Sequence, residues 1–281
     1  MNRIKENFSK FARNRIALVG AIIFLLVIFT AIFSPQITPF DPNRQDFGMI
    51  SPPSTSHVLG TDDLGRDLLS RLISGARISL IVAFSAVSLA LVVGVTLGLL
   101  AGYYGGLVDM LVMRYIDLQW SLPNLVIAVG LMAVFGRGLI NIILAISVAW
   151  FDDFARITRG EVLGIREVDY VSAARSLGGS DGRILIRHIL PNSIAPIIVQ
   201  ATICLAWGIL AEASLSYLGL GVNPSTPTWG LILSDARGFF SFAWWLAVFP
   251  GVAIMITTLS VNFLGDGLRD FFDVREIKKE E

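Results

Sequence analysis

The sequence predicts an all-α polytopic membrane protein with about six transmembrane helices. Three observations point there: the composition, a series of long uncharged runs, and a one-sided distribution of basic residues. Of 281 residues, 54% are hydrophobic and only 16% charged, and the mean hydropathy is +0.70. A soluble domain carries about a quarter charged residues, and a chain this poor in them cannot cover its surface with polar groups. A formal net charge of zero argues against a nucleic-acid partner, which normally leaves a basic excess. The one cysteine, Cys204, lies in an apolar stretch and can form neither an internal disulfide nor a Cys-rich metal site.

Taken in order, the first run is Ile16–Phe33, preceded by Arg3, Lys5, Lys10, Arg13 and Arg15. Its 18 uncharged residues exceed the roughly 7–15 of a secretory signal core, and Ala31-Ile32-Phe33 is no cleavage site. It reads as a retained spanning helix. The further runs are Ile78–Ala101, Leu118–Phe135, Leu139–Phe151, Ser193–Leu218 and Phe240–Leu264, close to the ~20 residues that cross a bilayer. Pro123 sits near the start of the third, where a missing donor costs least. The fourth has 13 apolar residues, rising only about 20 Å. It is therefore thin-spanning, tilted into protein, or longer than its apolar core. Gly136-Arg137-Gly138 predicts a tight hairpin before it. The chain divides into 1–77, a first span with an outer-face scaffold segment, and 78–281, a core containing the loop 152–192. Trp150, Trp229, Trp244 and Trp245 fit interfacial belts.

Orientation follows from Lys and Arg. With the amino terminus inside, the inner segments hold five (1–15), one (102–117), six (152–192) and four (265–281), against six outside. Both termini and the long loop 152–192 are expected in the cytoplasm.

That loop is built to fold. Asp169–Leu177 reads as a short helix stopped by Gly178-Gly179, since glycine accepts the left-handed conformation of a helix end. Ser180 then caps a second helix, Asp181 to Leu190, with Asp181 at the positive end of its dipole. Pro191 is expected to break it. Small Ala173 and Ala174 let another surface approach closely. The alternative is an amphipathic connector lying on the membrane surface.

The stretch resembles the EAA loop of ABC importer permeases: Glu-Ala-Ala, three residues, Gly, nine residues, Ile-x-Leu-Pro. Here it reads Ser172-Ala173-Ala174, Gly178, then His188-Ile189-Leu190-Pro191. Ser172 stands where that family has glutamate, and His188 where it has isoleucine. The resemblance implies a coupling helix docked on an ATP-binding subunit. Its candidate contacts are Asp169, Ser172, Ala173, Ala174, Arg175, Gly178, Asp181, Arg187, Leu190 and Pro191.

Between the first two spans lies Leu59-Gly60-Thr61-Asp62-Asp63-Leu64-Gly65-Arg66-Asp67, then Ser70-Arg71 and Gly75-Ala76-Arg77-Ile78-Ser79-Leu80. This segment is similar to one in the dipeptide, oligopeptide and nickel permeases. Asn14, Gly20, Ser34–Pro42, Trp150 with Arg156 and Arg159, Glu212–Gly221 and Pro227–Gly230 fit the same group, in its second or C-type permease. By charge spacing alone, Asp62, Asp63 and Asp67 pair with Arg66 and Arg71 in an interfacial helix leading into the second span. This favours a scaffold over substrate contact.

Glu212, with Ser216 one turn on, is the candidate for the substrate pathway. It lies about 28 Å along the fifth span from Ser193, near the outer boundary. A carboxylate there faces the pathway, where it meets a substrate amino group or lines a gate, or it is hydrogen-bonded within the helix bundle.

The chain supplies no Gly-Lys-Ser/Thr phosphate loop: Lys5, Lys10, Lys278 and Lys279 are its only lysines, none after glycine. His57 and His188 have no metal-ligand spacing, and the enzyme motifs Gly-x-Ser-x-Gly and His-Glu-x-x-His do not occur. No cofactor or metal is expected in this chain, and the absence of catalytic motifs weakens an enzyme reading; the resemblance implies a transport subunit, with ATP hydrolysed by a separate partner chain. The resemblance implies ATP and Mg bound by two separate ATPase subunits, a homologous second permease, an extracytoplasmic substrate-binding protein and an inner-membrane location. Its substrates are di- or oligopeptides, with nickel complexes or oligosaccharides as alternatives. A secondary transporter or channel without an ATPase is the competing class, and it predicts helices broken at mid-membrane.

Overall fold

The computed structural model describes residues 14–272, which are helical apart from connecting loops and one isolated bridge, Thr61–Asp67. Helix α1 is Arg15–Ile32, capped by the Asn14 side chain on the Ala17 N–H, and α2 is the single turn Ser34–Ile37. Then come α3, Leu68–Tyr104; α4, Gly106–Trp120; α5, Asn124–Phe135; and α6, Leu139–Ile165. The loop helices are α7, Asp169–Ser176, and α8, Asp181–Ile184. A π-helical turn, Leu185–Ile189, joins α8 to α9, Leu190–Tyr217. Short α10, Trp229–Asp235, and long α11, Trp245–Phe272, complete the chain.

Four helical segments are long and apolar enough to span a bilayer: Arg15–Ile32, Leu68–Tyr104, Asp181–Tyr217 and Trp245–Phe272. A fifth is available if α4 and α5 together make one bent span. Helix α6 has the length, 27 residues, but Asp152, Asp153 and Arg156 fall within its first 18 residues, just past the apolar run. The expected third span is therefore not one helix. Its two pieces meet at 90° because Pro123 lacks a donor and forces Leu122 out of helical geometry. The fourth is longer than its apolar core, continuing past Phe151 to Ile165.

The second span starts at Leu68 rather than Ile78, so the 77/78 boundary falls inside α3. Residues 59–67 are a tight turn, not the interfacial helix expected. Gly60 and Gly65 take φ of +83° and +72°, and Asp67 caps α3 by accepting from the Ser70 N–H at 2.8 Å. Nor does Pro191 end a helix. The π turn ahead of it carries the chain on, with Leu190 N–H bonded to Leu185 O and the Asn192 and Ser193 side chains donating to the carbonyls of His188 and Ile189. The sixth span, expected over Phe240–Leu264, is Trp245–Phe272.

The longest helix contact is α3 against α6. Gly94, Gly98 and Gly102 repeat every fourth residue along α3. A Cβ on Gly94 would lie 2.2 Å from Phe151 O, and one on Gly98 2.5 Å from Ala155 O. On Gly102 it would meet the Val162 side chain at 2.7 Å. Small residues at this period let two helices touch backbone to backbone, which lipid-facing helices need because no hydrophobic drive brings them together.

Of the four tryptophans expected in interfacial belts, Trp150, Trp229 and Trp245 are buried and Trp244 is exposed, so three of the four are packing groups. Trp229 donates to Leu72 O and Trp245 to Thr61 O.

Candidate functional site

Two clusters gather the residues singled out by sequence, one at each end of α3. At its carboxyl end sits the loop 166–190. A small separate core holds it: Tyr103 of α3 and Val162 of α6 against Val171, Ile184, Leu185 and Ile189. The segment is therefore seated on the bundle, not laid loosely over it. Arg166 donates to Gly102 O at 2.9 Å, and the Tyr103 hydroxyl donates to Asp181 Oδ1 at 2.7 Å. Asp181 thus anchors the segment, whereas the Ser180 side chain makes no cap bond. The Arg175 guanidinium lies 5.6 Å from the Tyr103 ring.

Between α7 and α8 the chain reverses at Gly178, whose φ is +78°, while Gly179 N–H bonds back to Ala174 O. This leaves Asp169, Ser172, Ala173, Arg175, Gly178, Asp181, Arg187 and Pro191 exposed, with Ala174 and Leu190 half-buried. Leu177 is 89% exposed, an apolar tip on a well-packed base. It was missed by sequence reasoning, although the polar residues around it single it out.

At the other end of α3, the motifs 59–80, 212–221 and 227–230 converge. Asp62 accepts from Arg66 Nε at 2.6 Å and lies 3.4 Å from Arg71 Nε. Asp235 bridges both arginines at 3.1 and 3.2 Å. Arg71 is 1% exposed. Asp67 pairs instead with His57, at 2.9 Å. The expected pairs thus form partly, and across a turn. Burial raises the Asp235 pKa, against the pull of Arg71 and Arg66.

One layer deeper lies Glu212, with no exposed surface. It accepts from Ser79 Oγ on α3 and from Ser216 Oγ one turn along α9, both at 2.7 Å. The Trp229 N–H closes the group by donating to Ser79 Oγ at 3.3 Å. Of the two readings of Glu212, the geometry is that of a carboxylate bonded within the bundle, with Ser216 turned inward beside it.

The geometry is that of a helical membrane bundle with a seated, apolar-tipped loop at one end. The family described as "binding-protein-dependent transport system inner membrane component" matches residues 94–278. "N-terminal TM domain of oligopeptide transport permease C" matches residues 3–53. Similar proteins include the di/tripeptide transport system permease protein DppC of Pseudomonas aeruginosa, 44% identical over 96% of this chain and 91% of that protein. The dipeptide permease DppC of Alkalihalophilus pseudofirmus is 43% identical over 96% and 89%. The glutathione permease GsiD of Escherichia coli is 42% identical over 95% and 89%. Among solved structures, an inward-facing MetNI methionine ABC transporter chain shares the fold at TM-score 0.59 and 20% identity, over 72% of this chain and 96% of that one. The chain belongs to the binding-protein-dependent inner-membrane permease family. It is a multi-pass permease subunit of the ABC importer class.

Proposed function

We propose that this subunit forms half of the pathway by which short peptides enter the cytoplasm, and that residues 169–191 couple it to a separate ATP-hydrolysing pair. The observation that carries the coupling reading is the construction of that segment. Its base is fixed to α3 and α6 through Tyr103, Arg166 and the small core around Val171, while Leu177 and Ala173 stay exposed for a partner. A push on such a handle enters α9 directly, because Asp181–Tyr217 is one continuous helical run, and it reaches α3 through Tyr103. Rigid-body transmission of this kind is what domain rocking requires.

In this reading both termini and the segment lie in the cytoplasm. The basic residues of 1–13 and 273–281, which lie outside the described residues, supply much of that bias. A second permease completes the pathway, an extracytoplasmic protein delivers the solute, and ATP and Mg are held by the partner subunits. Peptide is the substrate class favoured by the names of the relatives above. A channel or secondary transporter predicts a broken helix, and one is present at 120–124. The family membership, with its binding-protein dependence, weighs against that class.

The test is reconstitution with the two ATPase subunits, the second permease and the binding protein, followed by uptake of dialanine. Uptake that needs ATP, together with crosslinking of a cysteine at position 177 to an ATPase subunit, is expected. Uptake by this chain without an ATPase, or labelling of residues 169–191 only from outside, overturns the proposal.

A further inference from the structure

Where α4 breaks from α5, the chain leaves an acid that neither cluster uses. Asn124 and Leu125 of α5, Trp150 and Asp153 of α6, and Trp207 and Ser214 of α9 border a cavity of about 360 Å³. A second opening of about 450 Å³, lined by Trp120 to Asn124, shares Asn124 and Asp153 with the first, so Asp153 stands between the two.

The charge at this point is unbalanced. Arg156, the nearest cation along α6, is already engaged. It donates to Asp117 at 3.0 Å and lies 3.8 Å from the centre of the Trp120 ring. Asp153 has no ion-pair partner within 4 Å among the described residues. Its neighbour Asp152 is fully buried, with neither oxygen hydrogen-bonded among them. An acid kept in an apolar helix bundle without a cation of its own is costly and normally marks a pathway. The rest of the wall suits an ammonium group. Trp150 and Trp207 line the cavity, and indole rings attract a cation and supply apolar surface for the group beside it. The setting is a discontinuous helix, the arrangement transporters use to hold a solute.

We propose that Asp153 and this cavity form a transient site for the ammonium end of the transported solute, a free amino terminus flanked by an apolar side chain. This rests on the import reading above and places the charged contact on α6, not at Glu212.

The test uses the assembled transporter in nanodiscs, with Ser214→Cys in a chain whose buried Cys204 is replaced by Ala. A cationic methanethiosulfonate, relative to an anionic one and to their rates with free cysteine, is expected to modify position 214 about tenfold faster. Dialanine is expected to protect it, and N-acetyl-dialanine is not. D153N should abolish both effects and D153E retain them, which separates charge from misfolding. Equal rates for the two reagents, an unreactive Cys at 214 because the second permease covers it, or equal protection by both peptides overturns the proposal. ATP-driven uptake of dialanine by the same preparation is read separately. Uptake with equal reagent rates removes the cavity assignment alone, whereas no uptake removes the peptide reading and this one with it.

Discussion

Ser79 on α3 donates to Glu212 on α9 at 2.7 Å, and this bond ties together two helices whose residues are 133 apart in sequence. Ser216 supplies a second donor, so each carboxylate oxygen is served once. Removing one donor leaves a buried acceptor unpaired, which costs about 1–3 kcal/mol. Ser79→Ala is therefore expected to lower the thermal stability of the detergent-purified complex by that amount. Glu212→Gln, which keeps the shape, is expected to retain ATP-driven uptake in reconstituted vesicles. A selective loss of uptake with stability intact would return Glu212 to the pathway.

The glycine seam between α3 and α6 predicts a different kind of failure. A side chain at Gly94 or Gly98 would meet the α6 backbone, and overpacking of this sort costs about 1–3 kcal/mol. Gly94→Val and Gly98→Val are each expected to lower the melting temperature of the complex, while Gly130→Ala, which meets nothing, is expected to leave it unchanged.

The seam also marks where sequence reading stopped. Apolar runs located the spans because burying backbone in hydrocarbon demands long uncharged stretches, and Gly178 announced the reversal after α7. A small residue every fourth position over Ala86, Ala90, Gly94, Gly98 and Gly102 was equally visible in the sequence and went unread. The break at 121–123 was under-read: Pro123 does stand at a helix start, that of α5, but the separate helix ending at Trp120 and the bend between the two were not anticipated. Ser79 as a partner of Glu212, and Asp235 as the bridge between Arg66 and Arg71, were not legible, because they come from segments brought together only by folding. The continuation through Pro191 depends on one extra residue in a turn, which a period-based reading takes as an end.

Leu177 is predicted to matter to assembly and not to folding. It is almost fully exposed, so Leu177→Asp is expected to leave the melting temperature of the isolated chain unchanged and to reduce recovery of the ATPase subunits on co-purification. Equal recovery would show that the tip does not dock.

Tyr103→Phe tests how firmly the loop is seated. Losing the hydroxyl bond to Asp181 costs about 1 kcal/mol, which corresponds to roughly a fivefold change in a local opening equilibrium. Backbone hydrogen exchange across 169–184 is expected to quicken by that factor, with α11 unchanged.

Asp62 holds Arg66 and stands beside Arg71, both deeply buried. Asp62→Ala strands buried positive charge, a loss of about 3–5 kcal/mol. Asp62→Asn, whose single side-chain oxygen keeps one of the two bonds from Arg66, to its backbone N–H or to its Nε, is expected to lose less. Urea titration of the two variants in detergent compares them.

The contact of α3 with α6 has no side chains between its backbones at Gly94 and Gly98. Surfaces that interlock this closely cannot slide past one another by small steps, so the two helices swing as a single spar. Any change in which side of the bilayer the chain opens toward is then taken up outside this contact, at joints such as the bend at 121–123.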